Sequence, residues 1–449
     1  MEKGKAGDHM IKKQVILLIL ISALIIAIAL VQFNIFSSDV ERKEEEQQVL
    51  QVELTFWRNL GNDQFNRAYE QLVADFEAEH PNIKINMQAL YWGQEYELWL
   101  RTELAVGNTP DIMTIDSPNL GLYAKAGTLL SIDEYMKEEG KVEDILEPTI
   151  AGLTYEGEIY LAPIIESSIA LYYNKHLFRE AGIPFPSSDP DKPLTWDEVL
   201  EIAKLINNPE EGIIGIDPAQ GFGHGEGPAY FKMPILWQFG GGVLSPDGKT
   251  ADGYLNSDAS LKALQFYQDL YLEHRVATMD IPPLAFETNK LGMTILGSWD
   301  LLDLENANDF TLGEDFGVAP LPKEEFQVAP SGGWAVGISA NTKHPEEAWQ
   351  FVKYLSSYEG SKKFVEITGE IPARYSVAND LPELNEYPKN IFIQQGQLYS
   401  RNRPVTPAYS VVSDAIKVLF EDVGIKGRDV KEAADDAVWK INSAIQGDQ

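Results

Sequence analysis

The sequence predicts an α/β protein of two lobes, preceded by an apolar N-terminal segment. The chain has 449 residues, 44% of them hydrophobic, so it is long enough to bury two sizeable cores. Along its length, segments with the two-residue periodicity of strands alternate with segments of helical periodicity. The first strand–helix–strand unit implies parallel strands joined by a right-handed crossover, which is typical of α/β sheets.

The N-terminus has the pattern of an export signal. Lys12 and Lys13 precede an apolar run over residues 15–36. This run reaches the length of about 20 residues that a helix needs to span hydrocarbon. The positive flank predicts that residues 1–14 stay in the cytoplasm and that the chain after the helix crosses the membrane.

We interpret this segment as a retained transmembrane anchor. The alternative is a signal peptide cleaved after Ala29, but that small-x-small site lies inside the apolar stretch and not beyond it. Residues 37–49 are almost wholly polar and predict a solvated stalk. Both interpretations place the folded part outside the cytoplasm. The chain has no cysteine, which excludes a lipid anchor and disulfides.

The folded part begins with a strand, a helix and a second strand. Apolar and polar residues alternate over residues 52–57, and this predicted strand ends at Trp57. Asn62 begins a helix that closes at His80, and residues 83–87 alternate again. Ligands of α/β sheets gather at the carboxyl ends of strands, so Trp57 is a candidate ligand contact.

The later elements repeat these two periodicities. Strands are predicted at residues 112–115 and 159–162, and a short helix at residues 120–126. Thr195 and Glu198 form a capping box at the start of a further helix. Additional helices with an apolar stripe are predicted at residues 257–273, 345–356, 409–421 and 430–445.

The charge of the chain excludes some partners. Its formal net charge of −33, from 69 acidic and 36 basic residues, repels phosphate backbones and anionic lipid headgroups. We therefore expect no nucleic-acid partner. The acidity favours cationic ligands and remains compatible with a neutral carbohydrate.

The glycine-rich segments do not fit nucleotide-binding motifs. Residues 242–250 resemble a phosphate loop, but five residues separate the first glycine from Gly248 where four are required. We predict a hairpin turn at Asp247 and Gly248 instead. Residues 221–227 follow no clear strand and open no clear helix, so we interpret them as a mobile loop and not as a dinucleotide site.

Signals for metal binding and catalysis are weak. The six histidines lack ligand spacing. A calcium site is conceivable at Asp189, Asp191 and Glu198, but their spacing does not fit the standard calcium loop and favours turn and capping roles. We predict no metal, no cofactor and no catalytic residue. A glycosidase pair remains an open alternative, because 69 acidic residues guarantee many pairs of carboxylates.

Aromatic side chains give the strongest functional signal. Those that stand at the edge of a predicted element, beside glycine or polar residues, are Trp57, Trp299, Trp334 and Tyr409. Sugar rings present apolar C–H faces that stack on flat aromatic rings, while nearby carboxylates and amides bind the hydroxyl groups. Packing in a hydrophobic core is the alternative for each of them. Taken together, they favour carbohydrate binding.

Short motifs then follow one another in a characteristic order from residue 52 onwards. They include LTFW (54–57), GNTPDI (107–112), ALYYNK (170–175), LTWDE (194–198), GSW (297–299), VAPLP (318–322) and GGW (332–334). In order and spacing they resemble the family 1 extracellular solute-binding proteins of ABC importers, the maltose-binding-protein-like group.

The resemblance implies a type II periplasmic-binding-protein-like fold. Two hinged lobes, joined by several crossovers, would close on a sugar in the cleft between them. By analogy, the first lobe holds residues 50–165 and 333–382, and the second holds residues 168–330 and 386–449. The family positions carried over as ligand-binding residues are Trp57, Asp116, Glu166, Tyr230, Trp299, Trp334 and Tyr409.

The implied function is that of a non-catalytic, monomeric receptor. It would bind an oligosaccharide or another neutral sugar and deliver it to the permease subunits of an ABC transporter. Ile115 stands where the maltose-binding relative carries a tryptophan, so maltodextrin specificity is not implied. The alternatives are a cleft glycosidase or lyase, a sugar-sensing receptor for a membrane kinase, and a receptor for another ligand class.

Overall fold

The computed structural model describes residue 32 and residues 51–219, 225–306 and 310–447. The described residues divide into two compact units: residues 81–84 belong with residues 32 and 51–52 to a small one, and the other described residues form a large one. The large unit contains the site discussed below and, apart from residues 52, 83 and 84, the strands of the sheets.

The N-terminal segments predicted from the sequence lie outside the described residues, apart from residue 32. This applies to the cytoplasmic segment, the anchor and the stalk. Within the part of the chain that the structure describes, no helix combines the length and the apolar character needed to cross a bilayer.

The strands are short, and most follow the predicted alternation. They are β1 (Val52–Leu60), β2 (Ile83–Trp92), β3 (Ile112–Asp116), β4 (Thr154–Tyr155), β5 (Glu158–Ile159), β6 (Leu161–Pro163), β7 (Ile165–Glu166), β8 (Ile169–Asn174), β9 (Ile214–Asp217), β10 (Leu291–Gly297), β11 (Phe316–Ala319), β12 (Ala329–Ser331), β13 (Trp334–Ile338), β14 (Ile371–Pro372) and β15 (Ser400–Asn402).

Helices connect and cover these strands. They are α1 (Asp63–Glu79), α2 (Gly93–Ala105), α3 (Leu120–Lys125), α4 (Asp133–Glu139), α5 (Glu147–Gly152), α6 (Lys175–Glu180), α7 (Trp196–Ile206), α8 (Gly227–Gln238), α9 (Asp258–Leu272), α10 (Asp300–Asn306), α11 (Pro345–Ser356), α12 (Tyr358–Thr368), α13 (Tyr375–Asp380), α14 (Lys389–Leu398), α15 (Tyr409–Gly424) and α16 (Val430–Gly447).

Two sheets organise the described residues, and we call each sheet with its covering helices a lobe. The first sheet has the strand order β2-β1-β3-β13-β6, with β1 parallel to β3 and β13 antiparallel to β3. The second sheet has the order β11-β8-β10-β9. Each lobe has its own hydrophobic core, around Met113 in the first and around Tyr267 in the second. The predicted α/β class with two lobes is confirmed.

The chain passes between the two sheets through short paired strands. The segment from β6 to β8 leads from the first sheet to the second, and the segment from β11 to β13 leads back. Within these passages, β7 pairs with β14 and β12 pairs in parallel with β15. These two ribbons form part of the connection between the lobes.

Most helix boundaries follow the sequence pattern because local capping sets them. The Asn62 side chain accepts a hydrogen bond from the Phe65 backbone N–H at 2.9 Å and begins α1. The predicted capping box of α7 is present, with Thr195 and Glu198 in their expected roles. The Asp189 carboxylate accepts a hydrogen bond from the Lys192 ammonium at 2.5 Å, which stabilises the turn between these residues.

Three local predictions need correction. Strand β1 does not end at Trp57 but continues to Leu60. Residues 159–162 form parts of two short strands, β5 and β6, and not one. The turn at Gly248 is present, with φ +70°, but its neighbours are not paired strands, so it is not a hairpin. Most of the glycine-rich segment 221–227 lies outside the described residues.

The burial of Arg58 explains why the first strand is longer than predicted. This residue is almost fully buried under α1, and its guanidinium lies 4.7 Å from the centre of the Tyr69 ring. It also donates to the Asn66 side-chain oxygen at 2.8 Å. Because these partners compensate the buried charge, a polar residue continues the strand where the sequence pattern indicated its end.

Candidate functional site

A cavity of about 530 Å³ lies where the carboxyl ends of strands from both sheets meet. Asn59 and Leu60 at the end of β1 and Asp116 at the end of β3 contribute from the first lobe. Trp299, just after β10, contributes from the second lobe. This position is the usual ligand site of open α/β sheets, and the volume falls in the range of small-molecule pockets.

The connections between the lobes also line the cavity. Ser167 follows β7, Gly332 and Gly333 lie between β12 and β13, and Arg403 follows β15. A ligand in the cavity would therefore contact both lobes and the segments that join them.

Aromatic rings form part of the wall. They belong to Phe65, Tyr230, Phe231, Trp299, Trp334 and Tyr409. Trp299 and Trp334 are only half-buried, so each has ring surface available to a ligand. The Trp299 ring centre lies 6.1 Å from that of Tyr230, and Trp334 packs edge-on against Tyr96 at 5.7 Å. These contacts fix the orientation of both indole rings.

Charged residues form a further part of the lining, and most of them are acidic. Its charged members are Glu97, Arg101, Asp116, Glu226, Asp303, Glu370, Arg403 and Asp414. Side-chain oxygens and amides of this kind bind hydroxyl groups, while an excess of carboxylates opposes anionic ligands.

A network of charged hydrogen bonds joins three of these lining residues, Asp116, Glu226 and Arg403. Arg403 donates to both carboxylate oxygens of Asp116, at 2.7 and 2.9 Å, and to Glu226 at 3.0 Å. Tyr409 also donates its hydroxyl to Glu226, and Ser413 does so at 2.6 Å. Burial raises the pKa of Glu226, Arg403 opposes this effect, and Asp116 adds to it.

Two further carboxyl groups of the lining have strongly raised pKa values. Burial raises the pKa of Glu97 to about 7, although the Asp116 backbone N–H and the Tyr123 hydroxyl donate to it at 3.0 and 2.7 Å. Burial also raises the pKa of Glu370 to about 7. The hydrogen bonds of Glu97 give it a role in holding the end of β3, where Asp116 lies.

Five of the seven residues proposed from the sequence line the cavity. They are Asp116, Tyr230, Trp299, Trp334 and Tyr409. Antiparallel pairing places Trp334 directly opposite Asp116 across β13 and β3. Residues far apart in sequence are therefore brought together, although direct contact with a ligand stays a prediction for each of them.

The other two, Trp57 and Glu166, lie outside the lining. Trp57 is 8% exposed and packs in the core of the first lobe, with its ring centre 4.7 Å from that of Trp99. Its strand continues for three residues, so Asn59 and Leu60 occupy the strand end at which Trp57 was expected.

Glu166 serves the connection between the lobes. Its carboxylate accepts hydrogen bonds from the Thr149 hydroxyl at 2.5 Å, the Ser331 hydroxyl at 3.0 Å and the Gly332 backbone N–H at 2.8 Å. These bonds join β7 to the turn after β12. Glu166 thus supports the cavity from behind the turn that lines it.

Sequence reasoning missed Glu226 and Arg403. Glu226 lies within the glycine-rich segment 221–227, which we tested for nucleotide binding and not for a sugar contact. Arg403 stands in a polar, non-periodic segment before Pro404, where no local pattern indicates burial. Its 5% exposure results from partners 287 and 177 residues away.

Comparison with known proteins gives consistent matches. The family described as bacterial extracellular solute-binding protein matches residues 62–362. The maltotriose-binding protein of Pyrococcus abyssi is 24% identical over 397 residues, covering 86% of this chain and 80% of the relative. The multiple sugar-binding protein of Streptococcus mutans is also 24% identical, covering 69% and 73%.

Solved structures show the same fold. An ABC transporter solute-binding protein from Thermotoga lettingae, bound with α-D-tagatose, is 26% identical with a TM-score of 0.75. The similarity covers 88% of this chain and 100% of that one. The substrate-binding protein Lmo0181 from Listeria monocytogenes, in complex with cycloalternan, has a TM-score of 0.75 at 21% identity, covering 88% and 99%.

Proposed function

The chain belongs to the bacterial extracellular solute-binding proteins, and we propose that it binds a neutral carbohydrate and delivers it to an ABC importer. The observation that carries this proposal is the cavity at the strand ends of both lobes, walled by half-buried tryptophans and lined with carboxylates and amides. Indole faces suit the C–H faces of sugar rings, and the polar groups suit their hydroxyls.

The relatives support a sugar ligand of one or more rings. The Pyrococcus abyssi protein is named for maltotriose, and the Thermotoga lettingae structure contains tagatose. The acidic lining argues against sugars that carry a carboxylate or a phosphate, because acidic residues outnumber basic ones in it by six to two. We therefore place an uncharged mono- or oligosaccharide in the cavity.

In this proposal the lobes hinge about their connecting segments. The first lobe comprises residues 50–165 and 333–382, and the second comprises residues 168–330 and 386–449. Closure on the sugar would present one combined surface to the permease. No bond of the sugar is broken. An assay for products released from a glycan panel tests the last point, and sustained turnover would contradict it.

We place the protein outside the cytoplasm, anchored by residues 15–36. The two lysines before this apolar run and its length support a retained helix. An anchor keeps a receptor at a high effective concentration near its permease, within the reach of the stalk. Mass spectrometry of the mature N-terminus decides the point, because a chain that begins at residue 30 would mean cleavage after Ala29.

A ligand screen tests the central proposal. The full chain, purified in mild detergent, is heated with neutral sugars, including tagatose and maltotriose, and with galacturonate and glucose 6-phosphate as anionic controls. A sugar that binds only the folded state raises the melting temperature, and at 100 times Kd it adds about 2.7 kcal/mol of stability. Isothermal titration then measures affinity. If no neutral sugar shifts the transition, or only the anionic controls do, the proposal fails.

A further inference from the structure

Arg403 belongs to the connection between the lobes and not to either sheet. Strands β12 and β15 pair in parallel, with Ser331 opposite Asn402. Gly332 and Arg403 therefore follow at the same edge of this two-stranded ribbon. From there the Arg403 side chain reaches the cavity and becomes almost fully buried.

This one guanidinium binds a carboxylate from each lobe. Asp116 ends β3 of the first lobe, and Glu226 directly precedes α8 of the second. The same Arg403 nitrogen, Nη1, lies 2.9 Å from an Asp116 oxygen and 3.0 Å from a Glu226 oxygen. The two carboxylates are thus held close together by the cation between them.

Without that cation, the two carboxylates would repel each other. Screening by water is weak in a buried site, and a buried charge left without its partner is strongly unfavourable. The structure holds Asp116 of the first lobe and Glu226 of the second against the same guanidinium nitrogen, so without the cation their repulsion would oppose this close approach of the two lobes. A positive charge located at the hinge removes this opposition.

We propose that Arg403 is a positioning residue that permits closure of the cleft by neutralising one carboxylate from each lobe. The inference deepens the proposed function and rests on it, because closure of the cleft has a function only if the lobes close on a sugar. Arg403 is therefore necessary for the closed arrangement whether or not it contacts the ligand itself.

The surroundings of Glu226 predict how pH acts on this arrangement. Besides Arg403 and Asp116, Glu226 meets the hydroxyls of Tyr409 and Ser413. Lys417 is directed elsewhere, to the Gly225 carbonyl at 3.0 Å and to Asp414 at 2.8 Å. On the first-lobe side, Glu97 accepts from the Asp116 backbone.

Loss of Arg403 therefore removes the main influence that lowers the pKa of Glu226. Burial and Asp116 both raise that pKa. Glu226 should then take up a proton as the pH falls, which removes the repulsion. An Arg403→Met variant should consequently recover closure in acid, whereas the wild type should not depend on this proton.

A distance measurement tests the proposal without any ligand. The chain has no cysteine, so spin labels attach only at Ala74→Cys on α1 and Leu205→Cys on α7, both exposed positions. The distance distribution between the labels is recorded for the full chain at about pH 8 and about pH 5, on either side of the range in which a raised carboxyl titrates.

Three variants are compared in this labelled background. Arg403→Met removes the cation, and Arg403→Met with Glu226→Gln removes one of the two carboxylate charges as well. The matched control is Arg401→Met, because Arg401 lies two residues earlier and is exposed, with its guanidinium over the Trp237 ring at 5.1 Å. The control tests whether losing any arginine of this segment changes the distance.

We expect Arg403→Met to lengthen and broaden the distribution at pH 8 and to return towards the wild type at pH 5. The double variant should resemble the wild type at both pH values, and Arg401→Met should do so throughout. A distribution for Arg403→Met that is unchanged, or changed without recovery in acid or in the double variant, overturns the proposal.

If Arg403→Met does not fold, as circular dichroism would show, Arg403→Lys replaces it. Lysine keeps the charge but cannot bind Asp116 through two nitrogens. Because lysine keeps a positive charge between Asp116 and Glu226, a distribution close to that of the wild type then supports the proposal, and a lengthened distribution contradicts it. Because no sugar is added, a failed ligand screen would not change how these distances are interpreted.

Discussion

At the scale of single residues, exposure separates the tryptophans that line the cavity from one that does not. Trp299 and Trp334 are half-buried and line the cavity, whereas Trp57 is enclosed in the core of the first lobe. The same residue type therefore lines the cavity in one place and packs in a hydrophobic core in another.

We predict that Trp299→Ala weakens sugar binding by about 2 kcal/mol, or roughly 30-fold, because a rigid stacking surface is lost. Isothermal titration with the best sugar of the screen measures the effect. Trp439→Ala is the matched control, since Trp439 is 74% exposed on α16 and lies outside the cavity lining. Equal affinities for the two variants would remove Trp299 from the site.

Glu97 links the charge of the site to stability. Burial raises its pKa from 4.5 to about 7 in the folded protein. Because the folded state holds the proton more tightly, the stabilising contribution is complete below about pH 4.5 and is lost as the pH rises through about 7. Glu97→Gln removes this titration while keeping an acceptor for the Asp116 backbone N–H.

We therefore expect the stability of Glu97→Gln relative to the wild type to increase by about 3 kcal/mol between pH 4 and pH 8. Urea unfolding at each pH measures this difference. Glu95→Gln, at an exposed position of the same helix, controls for the loss of one surface charge. A relative stability of Glu97→Gln that does not vary with pH would contradict the prediction.

At the scale of elements, the turn between β12 and β13 requires a backbone conformation that favours glycine. Gly332 has φ +103°, a conformation that other residues rarely adopt, and an added Cβ would lie 2.8 Å from the Ser117 hydroxyl. Its N–H donates to Glu166, and its carbonyl accepts from the Ser167 hydroxyl at 2.5 Å. This turn joins the lobes and lines the cavity, so its shape matters to both.

We predict that Gly332→Ala destabilises the protein by about 1–3 kcal/mol, the cost of holding a non-glycine residue in such a conformation. Thermal or urea unfolding measures the loss. Gly396→Ala is the opposite control. Gly396 lies within α14, with open space where the added Cβ would stand, so this variant should gain up to about 1 kcal/mol of stability. A loss of similar size in both variants would contradict the argument from backbone strain.

At the scale of the whole molecule, the net charge of −33 opposes folding through self-repulsion. We predict that raising the ionic strength from about 0.01 M to about 0.15 M increases the melting temperature, because the screening length falls from about 30 to about 8 Å. Calorimetry measures the shift. Affinity for a neutral sugar should stay constant over the same range, and a strong salt dependence would indicate a charged ligand.

Much of the fold could be predicted from the sequence because the signals for strands and helices are local. The alternating residues of β1, the cap at Asn62 and the capping box at Thr195 lie within a few residues of the elements they define. The resemblance in motif order supplied the two lobes and five residues of the cavity lining. Prediction failed where a tertiary contact changed a local rule, as the burial of Arg58 did when it extended β1 past Trp57.

The sequence by itself determined the α/β class, most helix boundaries, and the aromatic character of the site. Only the tertiary structure decided which aromatics reach the cavity and that Arg403 joins Asp116 to Glu226. Asp116 and Glu226 lie 287 and 177 residues from Arg403 in the sequence. The cost of burying a charge depends on the groups that lie beside it in space. The periodicity of apolar residues indicates which face of a helix or strand is buried, but it does not indicate which distant residue compensates a buried charge.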